Sequence, residues 1–319
     1  MDFSLLNIKL TFLGSLVLIG YILGRFVSLN QQTISSVLLY VIAPVVFFKG
    51  MLILPLEEKY FLLPLLFFCL GSAMALIAQQ IGKRFWQDTT KNIFAFTAGT
   101  GNTGYFGIPV ATALLGEIGA SLAILATVGF TLYENTVGYF LMARGNYSVR
   151  DSLLRVIRLP FLYALAAGLL LNLLVSDHHA NQFAKHLTPF VEAYSLLGMM
   201  MVGIVLANAK FTDIDGWLMT WCLLMRFVAW PLVIGSLITL DILVLHFLDV
   251  NTYLVMVLMS VVPLAANSVV MAVQLNTQPK KVVTVVLVSI IIAMLIIPLL
   301  FTRIKLLLSA ATQSIVFQY

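Results

Sequence analysis

The chain has 319 residues, of which 61% are hydrophobic and only 10% are charged, with a formal net charge of +5 and a mean hydropathy of +1.04. A soluble domain carries about 25% charged residues, so the composition excludes a soluble globular protein and indicates an integral membrane protein. The apolar runs are continuous and about 20 residues long, which favours spanning helices over the alternating strands of a membrane barrel.

Ten membrane-spanning helices are predicted, and the predicted fold class is an all-α integral membrane protein. The connections between them are short, and the longest polar ones cover residues 144–154 and 176–187. The predicted spans are 8–25, 33–54, 60–81, 91–115, 119–143, 155–175, 188–208, 217–241, 251–275 and 281–302.

The connections on one side of the predicted bundle carry more lysine and arginine than those on the other side. Cytoplasmic connections are enriched in these residues, so we expect both termini to face outward from the cell membrane (the inner membrane in a bacterium). The densest basic connection follows the fifth span. The five spans on each side of it form two halves of opposite orientation, residues 1–145 and 146–319, which is the arrangement of an inverted repeat.

The fourth predicted span contains helix-breaking residues in its middle. Its segment TAGTGNTGYFGIPVA, residues 97–111, includes Gly99, Gly101, Gly104, Gly107 and Pro109. Relative to alanine, each interior glycine costs a helix about 1 kcal/mol and a proline about 3 kcal/mol. Glycines that serve close helix packing recur on one face, whereas these spread around the helix with Asn102 and Thr103 among them. The pattern therefore favours a true break over a packing motif.

The ninth span is the fourth span of the second half, and it contains a matching but weaker interruption. Its segment SVVPLAANSVVMAVQLN, residues 260–276, has Pro263 in an apolar run, followed by Asn267 and Ser268, and it lacks glycine. A proline kink and a full break explain this segment equally well. Two broken helices that cross in the middle of the membrane would present free N–H groups and partial positive charge to an anion, and a carboxylate would suit such a site.

Charged and amide side chains inside other spans are further candidates, because intramembrane charges are functional candidates by default. Arg226 in the eighth span is interpreted as a cation that neutralises a carboxylate, as an arginine that reaches to the cytoplasmic face, or as a structural partner of a backbone carbonyl. Glu134, beside Asn135 in the fifth span, is interpreted either as a proton-binding group or as an ion-pair partner of Arg226. Lys49, near the end of the second span, is interpreted as a lysine that reaches to the membrane surface.

No metal, cofactor or nucleic-acid partner is expected. Cys69 and Cys222 lie in separate apolar runs, the four histidines lie in polar connections, and no metal-ligand spacing is present.

Three segments resemble motifs of the auxin efflux carrier family, which includes plant auxin exporters and bacterial carriers of malate-like and malonate-like acids. GNTGYFGIP resembles the fourth-span motif, in which an asparagine stands seven residues before the crossover proline; here these are Asn102 and Pro109. PLAANSVVMAVQLNTQP, residues 263–279, and LGMMMVGIVLANAKF, residues 197–211, are similar to the motifs of spans nine and seven. The chain departs from plant members in lacking a second proline near Ser268 and a long loop after span five.

The resemblance implies the fold of the bile acid transporter superfamily, with ten helices in two inverted repeats and crossed, broken helices 4 and 9. It implies a homodimer in which helices 1, 2, 6 and 7 form a scaffold, while helices 3–5 and 8–10 form a transport domain that moves as an elevator.

The predicted function is secondary transport of small organic anions, either monocarboxylates or dicarboxylates such as malate, malonate or auxin-like acids. The predicted partners are the transported anion and the surrounding membrane lipid. The alternatives are a sodium- or proton-coupled symporter of the bile-acid type and, from other classes, an intramembrane enzyme or a sensor. Glu134 is the candidate for coupling. The candidate substrate-binding residues are Asn102, Thr103, Gly104, Gly107, Pro109, Pro263, Asn267, Ser268, Arg226 and Asn135.

Overall fold

The computed structural model describes residues 3–53, 58–208 and 214–316. Every regular element in these ranges is helical. Within these described ranges, six continuous helical stretches are long and apolar enough to cross a membrane, and two shorter apolar helices, Thr11–Phe26 and Val250–Val261, accompany them.

The helices follow one another with short connections. They are α1 (Phe3–Phe26), α2 (Gln31–Val37), α3 (Ala43–Leu52), α4 (Glu58–Phe85), α5 (Thr90–Ala98), α6 (Ile108–Tyr133), α7 (Tyr139–Ala143), α8 (Val149–Ile157), α9 (Pro160–Leu174), α10 (Asp177–His186), α11 (Thr188–Leu206), α12 (Gly216–Leu224), α13 (Trp230–Leu240), α14 (Val250–Val261), α15 (Asn267–Gln274) and α16 (Pro279–Val316). Single π-helical turns join several of them, at Leu38–Ile42, Thr103–Gly107, Glu134–Gly138, Met225–Ala229 and Asp241–Leu245.

Each predicted span coincides with one helix or with consecutive helices. The turn between predicted spans four and five lies inside α6, where Gly116 adopts a left-handed φ of 68°. Glycine is the residue that accepts this conformation without strain. The two polar connections differ from the prediction, because each contains helix. α8 begins at Val149, where the Ser148 hydroxyl accepts a hydrogen bond from the Asp151 N–H and caps the helix, and α10 occupies most of residues 176–187.

The most extensive helix contacts form two groups, which contacts of α1 with α6, α11 with α16 and α2 with α15 connect. In the first, α1 packs along α11 and α3 packs along α9. In the second, α4 packs against α5 and α6, while α14 contacts α6, α13 and α16. The pair α1 and α11 approaches closely at Gly24, where an added Cβ atom would lie 2.8 Å from the backbone oxygen of Ile204. Small residues permit such backbone contact between membrane helices.

Candidate functional site

The first interruption follows α5. This helix ends at Ala98, residues 99–102 are not helical, and the chain resumes in the π-helical turn Thr103–Gly107 that leads into α6. The prediction of a break in this segment is confirmed, with Asn102 immediately before the new helical start.

The second interruption follows α14. This helix ends at Val261 and α15 begins at Asn267, so that residues 262–266 form a non-helical connection within the predicted ninth span. The alternative of a simple proline kink is therefore excluded. Pro263 lacks a backbone donor and cannot continue the helix, and the Ser289 hydroxyl of α16 satisfies the N–H of Leu264 at 2.9 Å.

The two interruptions meet. The backbone N–H of Asn102 donates a hydrogen bond of 2.8 Å to the carbonyl oxygen of Pro263. Both segments are almost completely buried, with Asn102 only 3% exposed. Non-helical backbone at this depth is tolerated where it is enclosed by protein or lines a cavity.

A cavity of about 220 Å³ lies against both interruptions. The first contributes Gly101, Asn102, Thr103, Gly104 and Tyr105, and the second contributes Ala265, Ala266 and Asn267. Most of the remaining wall is apolar and comes from the ends of α3 and α11 and from the middle of α6; it includes Val46, Phe47, Ile53, Ile108, Ile124, Val128, Val191 and Tyr194. The cavity therefore combines a polar end made by the interruptions with an apolar body.

Several cavity-lining residues have backbone N–H groups with no acceptor in the part of the chain that the structure describes. Among the described residues, none accepts a hydrogen bond from the N–H of Gly104 or Tyr105 in the π-helical turn before α6, or from that of Ala265, Ala266 or Asn267 where the chain enters α15. The first N–H groups of a helix lack internal partners, and they carry the positive end of the helix dipole. Two such helix starts face one cavity here.

Glu134 also lines this cavity and is only 6% exposed. The Thr100 hydroxyl donates to its Oε1, and the Asn267 side-chain amide donates to its Oε2 at 2.7 Å. Glu134 stands at the start of the π-helical turn Glu134–Gly138. The carboxyl group thus links Thr100, within the first interruption, to Asn267, the first residue of α15 after the second one.

Arg226 lies behind the interruptions and does not line the cavity. Its fully buried guanidinium donates from Nε to the Val262 carbonyl at 2.6 Å and from a terminal nitrogen to the Met259 carbonyl. The other terminal nitrogen is 3.5 Å from the carbonyl of Thr100. Arg226 therefore satisfies carbonyls that the ends of α5 and α14 leave unpaired, where a cation is also favoured by the helix dipoles.

This placement favours the interpretation of Arg226 as a structural partner of backbone carbonyls. The ion pair with Glu134 that the sequence suggested is not formed between these two described residues. One helical turn further, Trp230 donates from Nε1 to the Ala98 carbonyl at 2.8 Å, so the same helix satisfies the last turn of α5 as well.

The structure brings only part of the predicted site together at the cavity. Asn102, Thr103, Gly104, Asn267 and Glu134 line it. The other predicted residues lie near the interruptions but outside the lining: Gly107, Pro109, Pro263, Ser268, Arg226 and Asn135.

The excluded residues have other contacts. An added Cβ atom at Gly107 would lie 3.2 Å from the Met259 side chain, and the Asn135 amide donates to the Thr131 carbonyl of its own helix at 2.9 Å.

Sequence reasoning missed the aromatic and basic part of the lining. Tyr105 and Tyr194 pack edge to face with ring centroids 4.6 Å apart. Lys49, in the last turn of α3, lines the cavity and donates to the Thr188 hydroxyl at 2.8 Å. The position of Tyr105 within the glycine-rich segment is a sequence signal for a place in the site. No local pattern distinguishes Tyr194 from a lipid-facing tyrosine.

An all-helical bundle of long apolar helices, in which two interrupted helices meet at a buried cavity, has the architecture of a membrane transporter. Residues 7–301 match the family model described as membrane transport protein. The chain belongs to this family, the auxin efflux carrier family. No curated protein matches the chain.

Proposed function

We propose that the protein is a secondary transporter of small organic anions and that the carboxylate of its substrate binds at the two interruptions. The observation that carries this proposal is the set of unpaired N–H groups at two helix starts in one cavity. Such groups bind anions without a buried cation, and the side chains of Asn102 and Asn267 add neutral donors.

The apolar wall favours a monocarboxylate with an apolar body. The residues opposite the interruptions are mainly aliphatic and aromatic, so they would enclose a hydrocarbon or ring better than a second charged group. Lys49, in the last turn of α3, is the feature that favours a dicarboxylate. Its ammonium group would bind a second carboxylate at the end of the cavity away from the interruptions. These are the two substrate classes to compare.

Alternating access by an elevator movement fits the packing. The resemblance assigns predicted spans 1, 2, 6 and 7 to a scaffold, and these spans contain the packed pairs α1 with α11 and α3 with α9. The helices of the spans assigned to a transport domain pack mainly among themselves. We extend this proposal to ten spans, to the inverted repeat of residues 1–145 and 146–319, and to a homodimer formed through the scaffold.

The present conformation would open outward. The cavity reaches the end of α3 and the start of α11, which the distribution of basic residues places outside the cell. On the opposite side, Gln274 at the end of α15 accepts hydrogen bonds from Gln32 and Ser36 of α2, both at 3.1 Å. These contacts would hold the two groups of helices together at the inner face.

Transport assays in proteoliposomes test the proposal. We expect the purified protein to move at least one of labelled malate, malonate, indole-3-acetate or benzoate, and Asn102→Ala to reduce transport at least tenfold. Asn208→Ala is the matched control, because Asn208 lies outside the cavity lining just after α11, where its side-chain amide donates to the Ile204 carbonyl at 3.2 Å. Failure of all four acids under every gradient, or full transport by Asn102→Ala, would refute the proposal.

A further inference from the structure

Glu134 is a buried carboxyl group in the wall of a cavity that also has the features of an anion site. Its two oxygens accept hydrogen bonds from Thr100 and Asn267, and no cation among the described residues lies within ion-pair distance of it. A structural acid would be expected to have a cationic partner, because a buried charge is costly unless it is paired. This carboxyl group therefore calls for a functional explanation.

The expected position of the substrate anion lies next to this group. Asn267 donates its side-chain amide to Glu134 at 2.7 Å, and its own backbone N–H is among the unpaired donors that line the cavity. An anion at that N–H is therefore separated from the Glu134 carboxyl group by a single residue. Two carboxylates that share one buried site do not both remain ionised, because each favours the protonated form of the other.

The other ionisable groups around Glu134 do not remove this conflict. The guanidinium of Arg226 is engaged with three backbone carbonyls, and Thr100 lies between it and Glu134. Lys49 lies where the end of α3 meets the start of α11, and its ammonium group donates a hydrogen bond to the Thr188 hydroxyl. The phenol groups of Tyr105, Tyr133 and Tyr194 are close enough to Glu134 to interact with its charge. Phenols are uncharged at neutral pH, so they do not neutralise it.

We propose that Glu134 takes up a proton when the substrate anion binds, so that the protein carries the acid anion and a proton together. This inference rests on the proposed function above. In the binding step a proton from water forms an O–H bond with a Glu134 oxygen. After the transport domain has exposed the site to the other side and the anion has left, that O–H bond breaks and the proton returns to water.

The hydrogen bonds around Glu134 are compatible with both protonation states. The Asn267 amide donates to one oxygen in either state. The Thr100 hydroxyl, which donates to the other oxygen when the group is ionised, becomes the acceptor when that oxygen carries a proton. Its own hydrogen then has an alternative acceptor in the carbonyl of Gly101, 3.4 Å away. Protonation thus reverses one hydrogen bond without leaving a buried group unpaired.

The inference changes the expected energetics of transport. An uncoupled monoanion moves with the membrane potential, which favours export from a negative interior. A monocarboxylate that moves with one proton transfers no net charge, so its transport responds to the pH gradient and not to the potential. Acid outside would then drive uptake.

Two measurements on the intact protein test this inference, both made with whichever of malate, malonate, indole-3-acetate and benzoate the wild type transports. The first is calorimetry of binding in buffers of different ionisation enthalpy, which counts the protons taken up per bound acid. We expect up to one proton for the wild type and none for Glu134→Gln, and an affinity that falls by up to tenfold per pH unit as the pH rises in the wild type only. Glu192→Gln, which alters an exposed acid of α11 outside the cavity lining, should keep the proton count of the wild type.

The second measurement needs no variant and therefore decides the case even if Glu134→Gln does not fold. Wild-type proteoliposomes should accumulate a monocarboxylate faster than protein-free liposomes do when the outside is acidic, and a potassium diffusion potential should not change this protein-dependent rate. Transport without proton uptake, transport that requires sodium in its place, or an unchanged proton count in Glu134→Gln would overturn the inference and leave the proposed function standing. If none of the four acids binds or moves, the proposed function fails and this inference fails with it.

Discussion

The backbone N–H of Asn102 donates to the carbonyl of Pro263 at 2.8 Å, and this bond joins the two interrupted helices at their breaks. Arg226 adds a second connection, because it donates to carbonyls from both segments. The ends of α5 and α14 and the starts of α6 and α15 are therefore held together as one unit. A substrate bound at the starts would move with that unit and not with a single helix.

Asn267→Asp should lower the affinity for the substrate anion more than Asn267→Ala does. The aspartate would place a second carboxylate where the amide now donates to Glu134 at 2.7 Å, and like charges at that distance repel strongly in a buried site. We expect at least a hundredfold loss of affinity, about 2.7 kcal/mol, in a titration with the transported acid. Asn208→Asp, on the surface at the end of α11, is the control that should bind normally; equal binding by both variants would contradict the assignment.

Arg226→Met should destabilise the fold. Removal of the guanidinium leaves the buried carbonyls of Met259, Val262 and Thr100 without this donor, and a buried unsatisfied group costs about 1–3 kcal/mol. Thermal unfolding of the detergent-solubilised protein should show a clear fall in Tm. A variant with the Tm of the wild type and a selective loss of substrate affinity would instead assign Arg226 to the substrate.

Gly101→Ala should have a similar effect by a steric route. A Cβ atom at Gly101 would lie 2.5 Å from the Cζ atom of Arg226, so the guanidinium would have to leave its carbonyl partners. Overpacking of this kind typically costs about 1–3 kcal/mol. Gly235→Ala in α13 is the matched control, since nothing lies within 4 Å of the added methyl group and alanine is the better helix former. Equal Tm values for the two variants would contradict this explanation.

Gln274→Leu should release the contacts at the face that we propose is cytoplasmic. It removes the acceptor of the hydrogen bonds from Gln32 and Ser36, and the loss of about 1 kcal/mol would shift the conformational equilibrium about fivefold toward the inward-open state. The measurement is labelling of Ser195→Cys, a cavity position, by an impermeant reagent from outside, with Cys69 and Cys222 replaced. Labelling should slow in Gln274→Leu and remain unchanged in the α4 control Gln80→Leu. Faster labelling would show that these contacts do not hold the outward-open state.

Asp88 should give a small acid-dependent contribution to stability. Burial raises the pKa of this carboxyl group, but hydrogen bonds from Gln278 and Thr90 and the charge of Lys281 outweigh it and hold the pKa below its ordinary value. A lowered pKa in the folded state stabilises the fold above the ordinary value, near 3.9, and the contribution is lost as the pH falls through the folded pKa.

The consequence is a pH-dependent difference between Asp88→Asn and the wild type. Because the Asp88 side chain is 51% exposed, the difference in stability at pH 7 should be no more than about 0.5 kcal/mol. It should vanish as the pH approaches 3, where the wild-type carboxyl group is also neutral. Tm measured from pH 7 to pH 3 checks this, and a difference that persists at pH 3 would show that shape and not charge is responsible.

Local composition was sufficient for much of the fold and for one half of the candidate site. Continuous apolar runs identified the helices, because a membrane helix must bury its own backbone hydrogen bonds and cover itself with apolar side chains. The accumulation of glycine and proline identified the break before Thr103, because its cost to a helix adds up within a few residues. The second break remained ambiguous, since one proline permits either a kink or a gap, and its length depends on contacts from α16 and from Asn102.

The sequence by itself determined that the chain is a helical membrane protein with a polar, interrupted segment around Asn102. Only the tertiary structure decided that Glu134 bonds to Thr100 and Asn267, that Arg226 binds carbonyls and that Tyr194 and Lys49 complete the cavity. The physical reason is that a hydrogen bond to an unpaired carbonyl or amide depends on which helix packs beside it. A pattern along one helix does not specify that neighbour.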